Sequence, residues 1–336
     1  MIPRSTALAF FLSALASIAG FPTQAAAQTV TLRMAANIPA NSPWDLGLRR
    51  LAVEFDRVSA GRVKITFPQS AHVATESDII QKMKLGVDGA LLTTYGLAEL
   101  YPDSLALSMP SFIRDDAEFE AVLAAVEPLF KAKLGDRYVI LALSKGGWAR
   151  YFSKSPIVYP ADLAKLRLSI DPSNDKIMQL MQSVGARTVK GTTADFLLQV
   201  NSNAVDACCV SPIYAASLWS QLRSKIGYMS GFKVAPFIGS IVFNKSSWDK
   251  VPAELRPQLE QVIREMAKKI SIDSAKLESD AIASLDGIKS PEETADAAQK
   301  WAEVISQRRN GIIAQMFSAD ILDTMDAALA KVRKSK

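Results

Sequence analysis

Apolar and polar positions alternate at the start of the mature region. Val30, Leu32, Met34 and Ala36 are separated by Thr31 and Arg33, the period of a strand with one buried face. Ser42-Pro43 then supplies an N-cap and a first helical residue. Trp44, Leu48, Leu51, Ala52, Phe55 and Val58 follow at helical spacing until Gly61, and Val63, Ile65 and Phe67 alternate again. Strand, helix and strand within about 38 residues predict a βαβ unit with parallel strands. Ile79, Ile80 and Met83 mark another helix, and Ala90–Leu92 a buried strand. A helix through Phe119, Val122, Leu123, Val126 and Phe130 precedes a strand at Tyr138–Leu143.

A second alternation begins near Trp148. Leu166–Ile170 reads as a strand, and Pro172 opens a helix carrying Ile177, Leu180, Met181 and Val184. A helix at Asp195–Val200 leads into a strand at Ala204–Val210, and Ser240–Phe243 forms a further strand. From Pro257 to Leu285 the apolar positions keep helical spacing, which predicts a helix roughly 40 Å long. That length exceeds what one small lobe needs. The pattern divides the chain into two α/β lobes, 28–146 with 236–270 and 147–235 with 271–336, the second also carrying the spanning and C-terminal helices.

The first 27 residues have a different character. Arg4, the apolar stretch Ala7–Gly20 and the small residues Ala25-Ala26-Ala27 have the layout of a secretory signal peptide, with cleavage expected near Ala27. About 14 apolar residues fall short of the ~20 that span a bilayer. The expected location is periplasmic.

Composition narrows the chemistry. A net charge of +5, scattered along 336 residues, gives no basic groove for nucleic acid. One histidine, His72, and two cysteines leave no ligand set for a structural zinc, and no cofactor or metal is expected. His72 sits in the polar run Gln69-Ser70-Ala71, which suits a solvated loop better than a catalytic base. An exported pair of α/β lobes without a catalytic cluster fits a cleft that closes on a ligand.

Seven segments sharpen this picture: LRMAANIPANSPW, GRVKITFP, IIQKMKLGVDGALLTTYGL, LALSMPSFIRD, GWARYFSKSPIVYPADLAKLRLSI, LLQVNSNAVDA and IVFNKSSWDKVP. In this order the chain resembles the DctP-like solute-binding proteins of TRAP (tripartite ATP-independent periplasmic) transporters, from about Val30 to about Ser284. The resemblance implies a two-lobed periplasmic-binding-protein fold of class II-like type, with a long helix spanning both lobes. It also implies hinge closure on a small organic acid, delivery to the membrane subunits of a TRAP transporter, and no enzymatic activity.

The resemblance also places site residues, with two departures. Family receptors hold a carboxylate with an arginine after a DL-x-x-L turn, because the guanidinium fork gives two parallel charged hydrogen bonds. Here the turn is Asp162–Leu166, and Ser169 stands at the arginine's position. Arg167 lies two residues earlier and replaces it only if the register shifts. Arg150, after Gly146-Gly147, matches a second family arginine; ligand contact is expected, with an interlobe salt bridge as the alternative and Asp171 or a ligand carboxylate as its counter-ion. Cys208 and Cys209 replace polar residues on another wall, as two buried thiols or as a vicinal disulfide. Thr193 stands where some members carry phenylalanine. Asn37, Thr93, Thr94 and Tyr95 follow first-lobe strands, and Trp148 and Phe237 are either cleft walls or packing residues. Without the usual clamp, the expected ligand is a monocarboxylate with an apolar body or a neutral polar molecule, not a compact dicarboxylate. A receptor serving a sensor kinase has the same fold and remains open at this point; an exported enzyme or a passive chaperone fits less well.

Overall fold

The computed structural model describes residues 29–38, 41–67, 75–171, 175–192 and 195–335. The proposed leader, His72 and Thr193 lie outside the described residues. The expected βαβ unit is present. Strand β1 (Val30–Ala36) buries Leu32 and Met34 and exposes Thr31 and Arg33. Helix α1 (Pro43–Val58) is capped by Ser42, whose side chain accepts from the Asp45 N–H, and β2 (Val63–Thr66) pairs parallel to β1.

Next come α2 (Glu76–Lys84), β3 (Gly89–Thr93), α3 (Thr94–Leu100) and α4 (Asp116–Leu134). Strand β4 (Tyr138–Ser153) is much longer than the expected Tyr138–Leu143. The polar, glycine-rich run Ser144-Lys145-Gly146-Gly147 reads as an end in the sequence, but tertiary partners carry the strand through it. The Ser144 hydroxyl donates to the Ala267 carbonyl at 2.7 Å, and the buried Lys145 ammonium binds Asp116. A register shift between Lys145 and Trp148 absorbs the glycines.

After β4 the chain forms β5 (Arg167–Ile170), α5 (Asp175–Ser183), β6 (Arg187–Lys190), α6 (Phe196–Asn201), β7 (Ala207–Val210), α7 (Pro212–Ser217), β8 (Tyr228–Met229) and β9 (Ala235–Asn244). Among the described residues the nine strands make one mixed sheet, ordered β2-β1-β3-β9-β4-β7-β5-β6 with β8 on β4. The first part of β4 pairs with β9 and its last four residues pair with β7, so one strand joins the two halves of the sheet. The helix Arg256–Ser284 has 29 residues, about 43 Å at 1.5 Å each. It packs against α1 so closely that a Cβ on Gly47 would stand 2.6 Å from Ile270 Cδ1. The C-terminal helix Ala319–Lys334 returns to α4 through Lys133–Asp320 and Arg333–Glu118 ion pairs.

Three apolar clusters hold these elements. One fills the space between α1, β1, β2 and the first half of the long helix, around Leu51, Phe55, Phe243 and Ile263. Another surrounds Phe152, Phe196, Val200 and Leu222. The largest runs from Ile79 and Phe130 to Trp301 and Met325. None of the helices among the described residues is long and apolar enough to cross a membrane.

Candidate functional site: an aromatic cavity at the strand ends

A cavity of about 680 Å³ lies where β3, β5 and β7 end and α1 begins. The carboxyl ends of parallel strands are where open α/β sheets place ligands. Aromatic rings form much of its wall: Trp44 from α1, Tyr95 from α3, Tyr151 from β4 and Phe237 from β9. Two glycines make room for these rings. A Cβ on Gly239 would stand 2.3 Å from Trp44 Cη2, and one on Gly146 would stand 3.0 Å from Phe237 Cδ1.

The polar groups of the wall are largely committed to the protein. Thr93 caps α3, accepting from the Tyr95 N–H, while its own hydroxyl donates to Glu76 Oε2 at 2.6 Å. Glu76 also accepts the Thr93 N–H at 2.6 Å and the Gly96 N–H at 2.9 Å, so its carboxylate occupies the start of α3. Desolvation raises the Glu76 pKa against these three bonds. The Ser169 hydroxyl donates to Gln199 Oε1 at 2.7 Å, and Gln199 Nε2 donates to the Lys190 carbonyl at 2.9 Å. Desolvation, then the charges near Cys209, Asp171 and Glu76, push the Tyr95 hydroxyl above its ordinary pKa, although the residue as a whole is 41% exposed.

Of the residues singled out in the sequence, the cavity brings together Thr93, Thr94, Tyr95, Ser169, Asp171, Cys208, Cys209 and Phe237. It does not bring in Asn37, Trp148 or Arg150. For Arg150 the reason is the two-residue period of a strand. Its neighbours Ala149 and Tyr151 line the cavity, so its own side chain leaves on the other side. There its Nη1 donates to the carbonyls of Ser230 at 3.0 Å and Gly231 at 2.8 Å. Desolvation lowers its pKa, opposed by the charge of Glu278. Here Arg150 bonds within the protein, and the charge that acts on it is that of Glu278, not of Asp171.

Trp148 belongs to the same cluster. Its backbone N–H donates to Glu278 Oε2 and its indole N–H to Asp116 Oδ1, each at 2.9 Å. The Lys145 and Lys233 ammoniums lie 5.8 and 4.8 Å from its ring centroid. Arg167 makes two bonds to Asp206, at 2.7 and 2.8 Å, and its register is not shifted toward the cavity. Cys208 and Cys209 are free thiols. As successive strand residues they point to opposite faces, Cys208 toward Phe152 and Phe196 and Cys209 toward the largest cluster. Burial pushes the Cys209 thiol up to about 12.

A family model, bacterial extracellular solute-binding protein family 7 (DctP), matches residues 34–312. The chain belongs to this family. Solved family structures share the fold at low identity. A TRAP periplasmic solute-binding protein from Ochrobactrum anthropi, with its C-terminus bound in the ligand-binding pocket, has a TM-score of 0.80 at 17% identity, covering 92% of this chain and 97% of that one. One from Rhodobacter sphaeroides, apo and open, gives 0.79 at 17%, with coverages of 90% and 99%. One from Desulfovibrio salexigens with bound orotic acid gives 0.77 at 13%, with coverages of 90% and 100%. The α/β architecture with a long helix is therefore the fold of DctP receptors.

Sequence reasoning assigned Trp44 and Met181 only to the apolar faces of helices and passed over Tyr151, Glu76 and Gln199. Trp44 carried a usable signal, being in the first turn of a helix that follows a strand's carboxyl end. Gln199 carried none: its bond to the Ser169 hydroxyl exists only once α6 packs beside β5.

Proposed function

We propose that this chain is the periplasmic receptor of a TRAP-type transporter. It holds a small polar molecule with an apolar body and at most one carboxylate, and hands it unchanged to the membrane subunits. Membership of the DctP family, together with the 680 Å³ aromatic cavity at the strand ends, supports this reading. We assign the lobes to 28–146 with 236–270 and to 147–235 with 271–336, the C-terminal helix reaching across onto α4. Ligand contacts to both lobes shift the open–closed equilibrium by the difference in affinity between the two states and by no more.

The leader is removed near Ala27, so N-terminal sequencing of the exported protein should begin at Gln28. Native mass spectrometry of gently purified mature protein tests the receptor assignment. A small molecule released intact on denaturation, with compaction on rebinding in small-angle scattering, is the expected result. Chemical turnover of that molecule would instead restore an enzyme, and binding without compaction would remove the closure mechanism.

A further inference from the structure

The hydrogen-bond chain behind Ser169 has only one possible polarity. One end of the Gln199 amide lies 2.9 Å from the Lys190 carbonyl, which accepts and cannot donate, so that end is the nitrogen. The other end is then the amide oxygen, which also only accepts. It lies 2.7 Å from the Ser169 hydroxyl, so the hydroxyl is the donor. The amide also packs directly on Gly191, where a Cβ would collide with it.

Ser169 lines the cavity, so the side it turns to a ligand carries lone pairs and no proton. Thr93 and Thr192, on the same wall, also spend their protons inside the protein, on Glu76 and Asp195. Among the described residues no lysine or arginine lines the cavity. A carboxylate brought to Ser169 would set lone pair against lone pair. A hydroxyl or amide N–H would meet an acceptor whose direction is fixed before the ligand arrives. A mismatch in a desolvated wall costs more than a matched bond gains, which makes such a group a strong discriminator.

We infer that Ser169, oriented by Gln199, is a specificity-determining acceptor, and that the cavity takes an uncharged molecule directing a hydroxyl or amide N–H at Ser169, its apolar body lying against the Trp44 and Phe237 rings. This rests on the receptor reading above and specifies its ligand class as neutral alcohols and amides.

The test is a thermal-shift and calorimetric screen of the mature protein. It uses matched panels on the same arylalkyl and alkyl frames: alcohols, primary amides, methyl ethers and monocarboxylates. Alcohols and amides should bind about fivefold or more tighter than the ethers, which keep an oxygen but lack the proton, and the carboxylates should bind no tighter than the ethers. Ser169→Ala should bring alcohol and ether to near equality while leaving ether affinity unchanged, which also shows that the variant is folded. Gln199→Met frees the Ser169 hydroxyl to turn and donate, so ethers should gain on alcohols. Equal binding of alcohols and ethers, carboxylates as the tightest class, or a preference that survives either substitution would overturn the acceptor assignment and leave the receptor reading standing. Failure of every panel, with no compaction in scattering, would count against the receptor reading and take this inference with it.

Discussion

The two sides of β4 put similar residue types to opposite uses. On the cavity side, Ala149 and Tyr151 line a space bounded by aromatic rings and one carboxylate, Tyr151 being itself packed against Phe232 and Trp301. On the other side, Lys145, Trp148 and Arg150 meet Asp116, Lys233 and Glu278 in a packed, charged cluster where the strand passes from one half of the sheet to the other. A one-residue step along a strand separates them. An arginine in a binding protein is thus informative only once its face is known: on this side it holds Ser230 and Gly231, and on the other it would hold a ligand.

Substitutions on the two sides should therefore separate stability from selectivity. Trp148→Ala removes a ring that is 2% exposed and should lower unfolding free energy by about 3–5 kcal/mol in denaturant titration. A smaller loss would show that the cluster repacks. Glu278→Ala strips the acceptor from the Trp148 N–H and the counter-charge from Arg150, which should cost roughly 1.5–3 kcal/mol. Glu278→Gln, keeping an acceptor, should recover part of this, and neither variant should reorder ligand preference. Gly239→Ala acts on the cavity side by pressing on Trp44. It should cost about 1–3 kcal/mol and weaken binding of any bound ligand, and unchanged affinity would detach Trp44 from the site.

Two smaller effects concern pH. The Arg167 side chain, with a further bond from the Arg167 N–H and one from Lys154, holds the Asp206 carboxyl far below the usual carboxylate range. Its contribution to stability is full above the unfolded value of about 3.9 and is lost as pH falls toward the folded value. Asp206→Asn should accordingly flatten the acid limb of a Tm–pH curve while leaving cavity affinity unchanged. Cys209 works in the opposite sense. With its pKa raised to about 12, its contribution is full below the unfolded value of about 8.5 and declines as pH rises between the two. The native thiol should resist iodoacetamide at pH 8 and react fully on unfolding.

How much of this could be read from residue order depended on the range of the deciding contacts. β1, α1 and β2 were legible because their signals are local: alternation, a Ser-Pro cap and helical spacing. The long helix was legible for the same reason. The full reach of β4 was not, because Ser144 and Lys145 are held by Ala267 and Asp116, which lie distant in sequence. Among the residues lining the cavity, Thr93–Tyr95 were singled out by their place after a strand, Asp171 only as a counter-ion for Arg150, and Phe237 as a cleft wall or packing residue. For Arg150, a match to a motif fixes its position in the chain but not which face of β4 it presents. Glu76 was invisible because its bonds to Thr93 and Gly96 exist only after α2 packs beside β3.

The helix Arg256–Ser284 has a mechanical consequence. Gly47 of α1 is seated against its middle, and Glu278 near its far end is bonded to the backbone of Trp148 beside the glycine pair. A rod fastened at both places cannot let the halves drift apart freely. Any swing must turn about those two fastenings, so the protein would open along one arc, like a door on two pins, instead of loosening in every direction.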